Sequence, residues 1–192
     1  MIRTTAAVAL AAGSVVLVLG APAEAAAPRC AIGTWKLTKA TIKVDSVQQH
    51  LRLVGGAGAT LRLDGRTALH GYNRSKRLAE TGTTGGAQVR GWLQYRKTLR
   101  MKTKVPSGRS GTLISSIGSA TGNATIRLHQ SRPFTNSPGP KLIVYVLRNG
   151  DFDGGLPRRA GFTCTSAKLR LKQRLSTSIG VVSSDWTYRR LR

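Results

Sequence analysis

From residue 33 onward, apolar side chains recur at every second position, and this period of two constrains the fold more than any other feature. The clearest example is Val89–Val105, where odd positions are mostly apolar and most even positions carry arginine or lysine. Gly, Asn, Asp and Pro punctuate the runs, and no run has a convincing helical period. The pattern predicts an all-β chain of short strands, arranged as a sandwich or a barrel.

The strand boundaries follow from the same alternation. Trp35–Val44 is predicted as the first strand, with a bulge or bend near Lys39–Thr41 because its inward positions change parity. Leu61–Leu63 runs into Asp64-Gly65, a hairpin signal with 66–72 as the return strand. Val89–Val105 exceeds the usual strand length, so we expect a bend or turn within it. The remaining predictions are a long loop at 73–87, a hairpin of Thr112–Ile117 with Ala124–Gln130, and closing strands at Ala167–Leu175 and Asp185–Arg192.

The segment Leu142–Leu147 is an unbroken apolar run. A strand without a polar face is covered on both sides. The cover comes either from the same molecule or from a second copy, so the run also predicts a possible homodimer interface.

Residues 1–25 have the organisation of a secretory signal peptide. Arg3 precedes the apolar run Ala6–Leu19, and Ala23-Glu24-Ala25 is a small-residue cleavage site. The run is shorter than the ~20 residues that span a bilayer. We therefore expect a secreted or extracellular protein, with association with the cell wall as one option. Residues 26–192 are expected to form a single domain without a transmembrane segment.

The sequence contains two cysteines, Cys30 and Cys164. Export to an oxidising compartment favours a disulfide between them. Such a bond joins the first strand to the penultimate one and contributes ~4 kcal/mol in the chain-entropy model. The pair leaves no cysteine cluster for zinc, and we expect no metal or cofactor.

Three short motifs resemble those of the small exported calycin-like barrels, of lipocalin and avidin type, that are common in high-GC Gram-positive bacteria. The motifs are Cys30-x-x-Gly33-x-Trp35, Phe162-Thr163-Cys164 followed by Leu169-x-Leu171, and Trp186-x-Tyr188-x-Arg190. The resemblance implies a single antiparallel up-and-down β-barrel of about eight strands. It also implies that an arginine of the last strand lies over Trp35 and closes one end of the barrel. Arg190 is assigned that role, or Arg189 if the strand faces the other way.

The opening Gly33-Thr34-Trp35 is also similar to the start of streptavidin. The similarity ends within a few residues, because Leu37 and Thr41 stand where that family has asparagine and serine. The tryptophans that would wall a biotin pocket are missing as well. We therefore expect no biotin binding.

Catalytic signatures are lacking. The histidines are His50, His70 and His129, and no carboxylates lie at a recognisable spacing from them. The sequence has no nucleophile elbow, zinc-protease motif or phosphate loop. We therefore expect that the protein is not an enzyme. Some calycins bind haem through a histidine, which leaves His70 and His129 as candidate axial ligands.

The charge balance points instead to anionic partners. The chain has 31 Lys and Arg against 7 Asp and Glu, a net charge of +24, and a folded barrel would carry this excess on its outside. Nucleic acid is an unlikely partner outside the cell, so the predicted partners are anionic envelope polymers or lipid. The predicted polyanion-binding residues are Arg90, Trp92, Arg96, Arg100, Lys102, Lys168, Arg170 and Lys172.

Two functions are consistent with these features. The first is a secreted cationic binding protein with a small apolar ligand in the barrel, anionic polymers on the exterior, or both. The second is a structural or interaction protein of the cell envelope, with a filled barrel and no small ligand.

Overall fold

A computed structural model describes residues 30–149, 155–177 and 180–191, so the predicted signal peptide lies outside the described residues. Within these ranges the chain forms an antiparallel sheet, a short α-helix and a 3-10 turn. The strands are β1 Gly33–Asp45, β2 Gln49–Gly55, β3 Thr60–Leu63, β4 Thr67–Gly71, β5 Leu78–Thr84, β6 Ala87–Arg96, β7 Thr98–Lys104, β8 Ser110–Ser115, β9 Thr121–Gly122, β10 Thr125–Arg132, β11 Lys141–Leu142, β12 Arg159–Cys164, β13 Lys168–Thr177 and β14 Gly180–Arg190. The 3-10 turn is Ile117–Ser119, and helix α1 is Ile143–Arg148.

A closed ring of 8 strands is the centre of the fold. Its order is β1, β3, β4, β7, β8, β12, β13 and β14, and β14 pairs with β1 to complete the circle. The ring strands follow one another in chain order, which is the up-and-down arrangement. The prediction of an eight-stranded antiparallel barrel is confirmed.

Outside the ring, β2, β5, β6, β10 and β11 form a second surface that we call the side sheet. Its order from β1 outward is β2, β5, β6, β10 and β11. The chain leaves the ring for β2, again for β5 and β6, and again for β10, β11 and α1, returning each time to the next ring strand. The sequence did not predict this second surface.

Strand β1 belongs to both surfaces. Residues 33–36 pair with β3 of the ring, and residues 40–45 pair with β2 of the side sheet. Between these halves the register against β14 shifts from Leu37 to Lys39, and the Thr38 hydroxyl donates to the Thr187 carbonyl at 2.8 Å. The parity change therefore marks a real bulge, which lies just before the predicted position Lys39–Thr41.

The interior of the ring is packed with apolar side chains. Those with less than 2% of their surface exposed include Trp35, Leu61, Leu63, Leu99, Met101, Leu113, Leu169, Leu171 and Val182. They sit at alternate positions of their strands, as the period of two requires.

Two predictions about the middle of the chain were wrong. Residues 73–87 contain strand β5, which lies between β2 and β6 and pairs with both, although Glu80 and Gly82 are residue types depleted in strands. Residues 112–117 and 124–130 do not form a hairpin, since β8 pairs with β7 and β12, whereas β10 pairs with β6 and β11. The small-residue turn between them carries the chain from the ring to the side sheet.

The long alternating stretch Val89–Val105 is divided between β6 and β7. The break is at Lys97, whose φ is 64°, so the expected turn is present. Strand β6 joins the side sheet and β7 joins the ring. The basic face predicted for this stretch is therefore split between two surfaces.

The prediction that Leu142–Leu147 is a strand was wrong. Most of this run is helix α1, which buries Ile143, Val146 and Leu147 on one face and leaves Tyr145 exposed. Apolar runs this short suit a buried helix as well as a strand, and here the core covers the apolar face. The argument for a dimer through this segment depended on a strand, so it no longer holds.

In the described ranges, no helix has the length and apolarity needed to cross a membrane.

Candidate functional site

One end of the ring is closed by Trp35 and Arg190. Trp35 is fully buried, and its indole nitrogen donates to the Ala31 carbonyl at 2.8 Å. The Arg190 guanidinium carbon lies 4.2 Å from the Trp35 ring centroid, a cation–π contact. Of the two arginines considered from the sequence, Arg190 is therefore the one that lies over Trp35.

Backbone carbonyls hold the Arg190 guanidinium in place. It donates to Cys30 at 2.7 Å, to Ser166 at 2.8 Å and to Ile32 at 3.1 Å. Gly33 lies directly beneath it with a φ of 135°, and a Cβ there would come within 2.5 Å of Arg190 Nη1. The position therefore requires glycine for both conformation and space.

The disulfide Cys30–Cys164 is present at the same end, as predicted. It joins the segment before β1 to the end of β12 across a sequence separation of 134. Together with Arg190, it ties the start of the described chain to its last strands. The contacts at this end of the molecule stabilise the closed ring.

Between the ring and the side sheet lies a cavity of about 30 Å³. Its lining includes His70, Tyr72, Tyr95 and Tyr188. Nε2 of His70 and the hydroxyl of Tyr72 have no hydrogen-bond partner in the described residues. Burial lowers the pKa of His70 to about 4 and raises the pKa values of Tyr72 and Tyr188.

A cavity of that volume holds about one water molecule, so it is too small for an apolar ligand or a haem. His70 also faces the interior, whereas His129 stacks on Trp92 at the outer face of the side sheet. The two histidines thus lie at separate places in the fold.

The outer face carries a line of cations that crosses the strands. Successive pairings place Arg174 beside Ser183, Ser183 beside Lys43, Lys43 beside Arg52, Arg52 beside Thr81, Thr81 beside Arg90, and Arg90 beside Arg132. We call Arg174, Lys43, Arg52, Arg90 and Arg132 the cation row. Directly paired residues point to the same side of a sheet, and all these side chains are exposed.

The cation row is long, and its positive charges are not neutralised by ion pairs among the described residues. Adjacent strands lie about 4.8 Å apart, so a row from β13 to β10 spans roughly 30 Å. In the described residues, no member of the row forms an ion pair. Residues 81–150 contain no Asp or Glu, which leaves the side-sheet half of this face with few acids nearby. The row places five cations on one face across both parts of the fold, with Ser183 and Thr81 between them.

An open groove of about 670 Å³ lies at the ring end of the row. Lys43, Lys172 and Arg174 line it, together with Asp45 and Asp185. Asp185 accepts hydrogen bonds from Nε and Nη2 of Arg170, so this carboxylate is already paired. The groove therefore presents three cations, the Asp185 carboxylate paired with Arg170, and the Asp45 carboxylate, which lies 3.4 Å from Nδ1 of His50.

Trp92 lies two residues along β6 from Arg90 of the cation row, on the same face. The Arg77 guanidinium carbon is 3.9 Å from its ring centroid, and the His129 ring stacks at 5.2 Å. Trp92 was predicted to work with Arg90, Arg96 and Arg100, but its immediate neighbours are Arg77 and His129. With one face already covered by Arg77, the indole has less surface left for stacking on a ligand.

The other predicted polyanion-binding residues are distributed over separate surfaces. Arg96 donates to the Asn73 carbonyl at 2.9 Å, and Arg100 and Lys102 lie on the outer side of ring strand β7. Lys168 pairs with Arg189 on β14. Only Arg90 of the predicted set belongs to the cation row, while Lys172 lines the groove.

Sequence reasoning missed Lys43, Arg52, Arg132 and Arg174. Lys43, Arg52 and Arg174 alternate with inward apolar residues, which was a detectable signal. Arg132 has the same parity as the inward Leu128 and faces outward because the register shifts between Gln130 and Arg132. Their alignment depends on strand pairings between distant parts of the chain, and no single stretch reveals it.

Searches of protein-family models, curated proteins and solved structures found no match to this chain. The calycin-like resemblance therefore depends on the sequence motifs and on the closed eight-stranded ring.

Proposed function

We propose that this protein binds linear anionic polymers of the cell envelope along the cation row. The observation that carries the proposal is the row itself, in which Arg174, Lys43, Arg52, Arg90 and Arg132 follow one another across paired strands. A chain with regularly repeated phosphate or carboxylate groups can contact several of these cations at once. Release of counterions then drives association.

The groove between β13 and β1 supports the same function. It adds Lys172 to the ring end of the row and gives a ligand a concave surface to enter. Arginine and lysine recognise phosphate through charge-assisted hydrogen bonds, and arginine can do so with two donors at once. The polymer would thus be held in the groove and guided along the row.

The packed interior favours binding at the surface over binding inside the barrel. Side chains such as Leu61, Met101 and Leu171 fill the ring, and the junction cavity of about 30 Å³ holds only about one water. We therefore do not place the small apolar ligand, one of the sequence-based expectations, within the ring. The proposed role is that of a secreted binding protein and not of an enzyme.

The test is the salt dependence of binding to poly(glycerol phosphate), measured by titration calorimetry. A triple variant, Lys43→Ala with Arg52→Ala and Arg90→Ala, removes three positions of the row. We expect the slope of log affinity against log salt to become shallower by about two to three, since each lost phosphate contact contributes roughly 0.7 to 0.9. Affinity at low salt should fall at least tenfold.

The matched control is Arg62→Ala with Arg100→Ala and Lys102→Ala. It removes the same number and type of cations from β3 and β7, on a different wall of the ring. If both triple variants lose the same affinity and slope, binding follows net charge alone and the cation row is not a site. An unchanged slope in the first variant would also contradict the proposal.

A further inference from the structure

The outer boundary of the side sheet combines exposed apolar side chains with cations. We call the segment 133–140, β11 and α1 together the free edge. In the described residues, six large apolar side chains are exposed, and Phe134 (74%), Leu142 (52%) and Tyr145 (60%) belong to the free edge. Half of the exposed large apolar side chains thus belong to this one edge, and exposed apolar patches mark contacts with an apolar partner.

Beside these side chains lies an open pocket of about 310 Å³. It is lined by Leu93, Ile126, Leu128, Pro138, Gly139, Lys141 and Val146. The volume is at the lower end of the range for small-molecule sites, and the lining is mostly apolar, as in such sites. This pocket is outside the ring and separate from the packed core of the barrel.

Charge is distributed unevenly along the pocket. Strand pairing places Lys141 beside Ile126, and the next inward position along β10 is Leu128, which pairs with Leu93. Beyond that pair the inward position is Gly91, which pairs with Glu80. A ligand therefore meets a cation at one end of the apolar lining and a carboxyl residue beyond the other.

The surroundings of the pocket are positively charged. Lys141 lines the pocket and Arg148 is exposed on α1, while Arg127 and Arg132 lie on the outer face of β10, opposite the pocket lining. No Asp or Glu occurs in residues 81–150. Large apolar side chains surrounded by cations are the composition of surfaces that enter the interface of anionic bilayers.

We propose that the free edge binds the surface of an anionic lipid bilayer. Phe134 and Tyr145 enter the interface, one acyl chain of a phospholipid occupies the pocket, and Lys141 contacts the lipid phosphate. The acyl chain gains from leaving water with its methylene groups against Leu93, Ile126 and Leu128. This site is independent of the cation row, which has no apolar pocket and recognises charge alone.

Vesicle sedimentation tests the proposal with vesicles of phosphatidylcholine alone and of phosphatidylcholine mixed with phosphatidylglycerol. A protein with net charge +24 adsorbs to anionic vesicles at low salt whatever its structure, so the informative measurement is at high salt, where surface charges are screened. We expect binding to the mixed vesicles to persist at high salt. The double variant Phe134→Ser with Tyr145→Ser should weaken this residual binding about tenfold or more.

Fluorescence locates the contact. Phe134→Trp places a reporter on the free edge, and Val47→Trp places a matched one at another fully exposed apolar position. With wild-type emission subtracted, we expect the reporter at 134 to shift to the blue on mixed vesicles and to be quenched by brominated acyl chains. The reporter at 47 should do neither.

A filling variant tests the pocket. A Cβ built on Gly139 meets no atom within 4 Å, so Gly139→Leu adds bulk to the pocket wall without disturbing the fold. It should reduce high-salt vesicle binding several-fold while leaving poly(glycerol phosphate) affinity unchanged. Lys141→Ala should weaken high-salt binding to the mixed vesicles without abolishing it, since it removes one contact to a lipid phosphate and leaves the pocket lining in place.

Loss of all vesicle binding at high salt, or equal behaviour of the two tryptophan reporters, would overturn the bilayer proposal. Unchanged binding by Gly139→Leu would overturn the acyl-chain pocket. These outcomes leave the cation row untouched, because its test uses a soluble polymer with no acyl chain. Conversely, a failed polymer titration says nothing against insertion of Phe134.

Discussion

Two tryptophans in this protein each carry an arginine over the ring, yet they belong to different kinds of surface. The guanidinium carbon of Arg190 lies 4.2 Å from the ring centroid of Trp35, and that of Arg77 lies 3.9 Å from the ring centroid of Trp92. Trp35 is fully buried and hydrogen-bonded, whereas Trp92 is half-buried on the outside of the side sheet. The same cation–π geometry therefore belongs to the core in one place and to a solvent-facing surface in the other.

The arginines differ in the same way. Arg190 donates to backbone carbonyls on both sides of the ring closure, while the Arg77 guanidinium forms no hydrogen bond to a described residue. The value of a cation–π contact rises as water is excluded from it. The comparison teaches that distance alone does not tell which contact stabilises the fold, and the following variants examine that difference.

The largest effect is expected from removing each indole. Trp35→Ala should lower the free energy of unfolding by about 3–5 kcal/mol, because it opens a cavity in a packed ring. Trp92→Ala should cost less than about 1 kcal/mol, since its site is open to water. Denaturant unfolding with the disulfide intact measures both. Similar losses for the two variants would contradict the distinction between core and surface.

A smaller effect is expected from acid. Burial holds the pKa of His70 at about 4 against an ordinary value of 6.5, so the unfolded chain takes up this proton more readily than the folded one. The contribution is fully present above pH 6.5 and is lost as the pH falls towards 4, by about 3 kcal/mol in total. The difference between the unfolding profiles of wild type and His70→Leu isolates this contribution. If the free energy of unfolding depended on pH in the same way for wild type and His70→Leu, His70 would accept a proton as readily in the folded state as in the unfolded one.

The smallest effect separates the two arginines. Arg190→Lys keeps the charge but loses the fork of donors, which should cost about 1–3 kcal/mol through unpaired carbonyls at the ring closure. Arg77→Lys should change stability by less than about 0.5 kcal/mol. Thermal unfolding of the pair is sufficient to compare them. An equal shift in the two melting temperatures would mean that the carbonyl contacts of Arg190 contribute nothing.

The ring strands and the disulfide could be predicted because the signals for them lie in short stretches of sequence or in the number of cysteines. Period-two alternation defines strands such as β1, β6 and β13, and two cysteines allow only one intramolecular pair. The alternation left a sandwich and a barrel open, and the confirmed eight-stranded ring was implied by the calycin-like resemblance of the short motifs. The position of Arg190 was narrowed to two candidates by the resemblance and was resolved by geometry.

The side sheet could not be predicted in the same way. Strand β5 contains Glu80 and Gly82, residue types that are depleted in strands, so its strand conformation depends on pairing with β2 and β6. Helix α1 has an apolar run too short to distinguish helix from strand. Errors at these two places concealed the free edge and its pocket.

Sequence analysis did not find the cation row, for another reason. Lys43 and Arg52 are close in sequence, but Arg90, Arg132 and Arg174 come from distant strands, and only register aligns them. Period-two analysis tells which face each residue occupies but not which residue lies beside it.

The pairing of β1 with β14 has a consequence for how this chain is made. A polypeptide emerging from its N-terminal side presents Gly33–Asp45 long before Gly180–Arg190 exists, so no shorter product can complete the circle. A fragment truncated before β14 would leave two long strands with unsatisfied backbone groups, which favours aggregation. Assembly must therefore wait for the final residues, and contacts of such long sequence separation form slowly. Until β14 is present, β1 and β13 lack the strand that pairs with both, and the ring stays open.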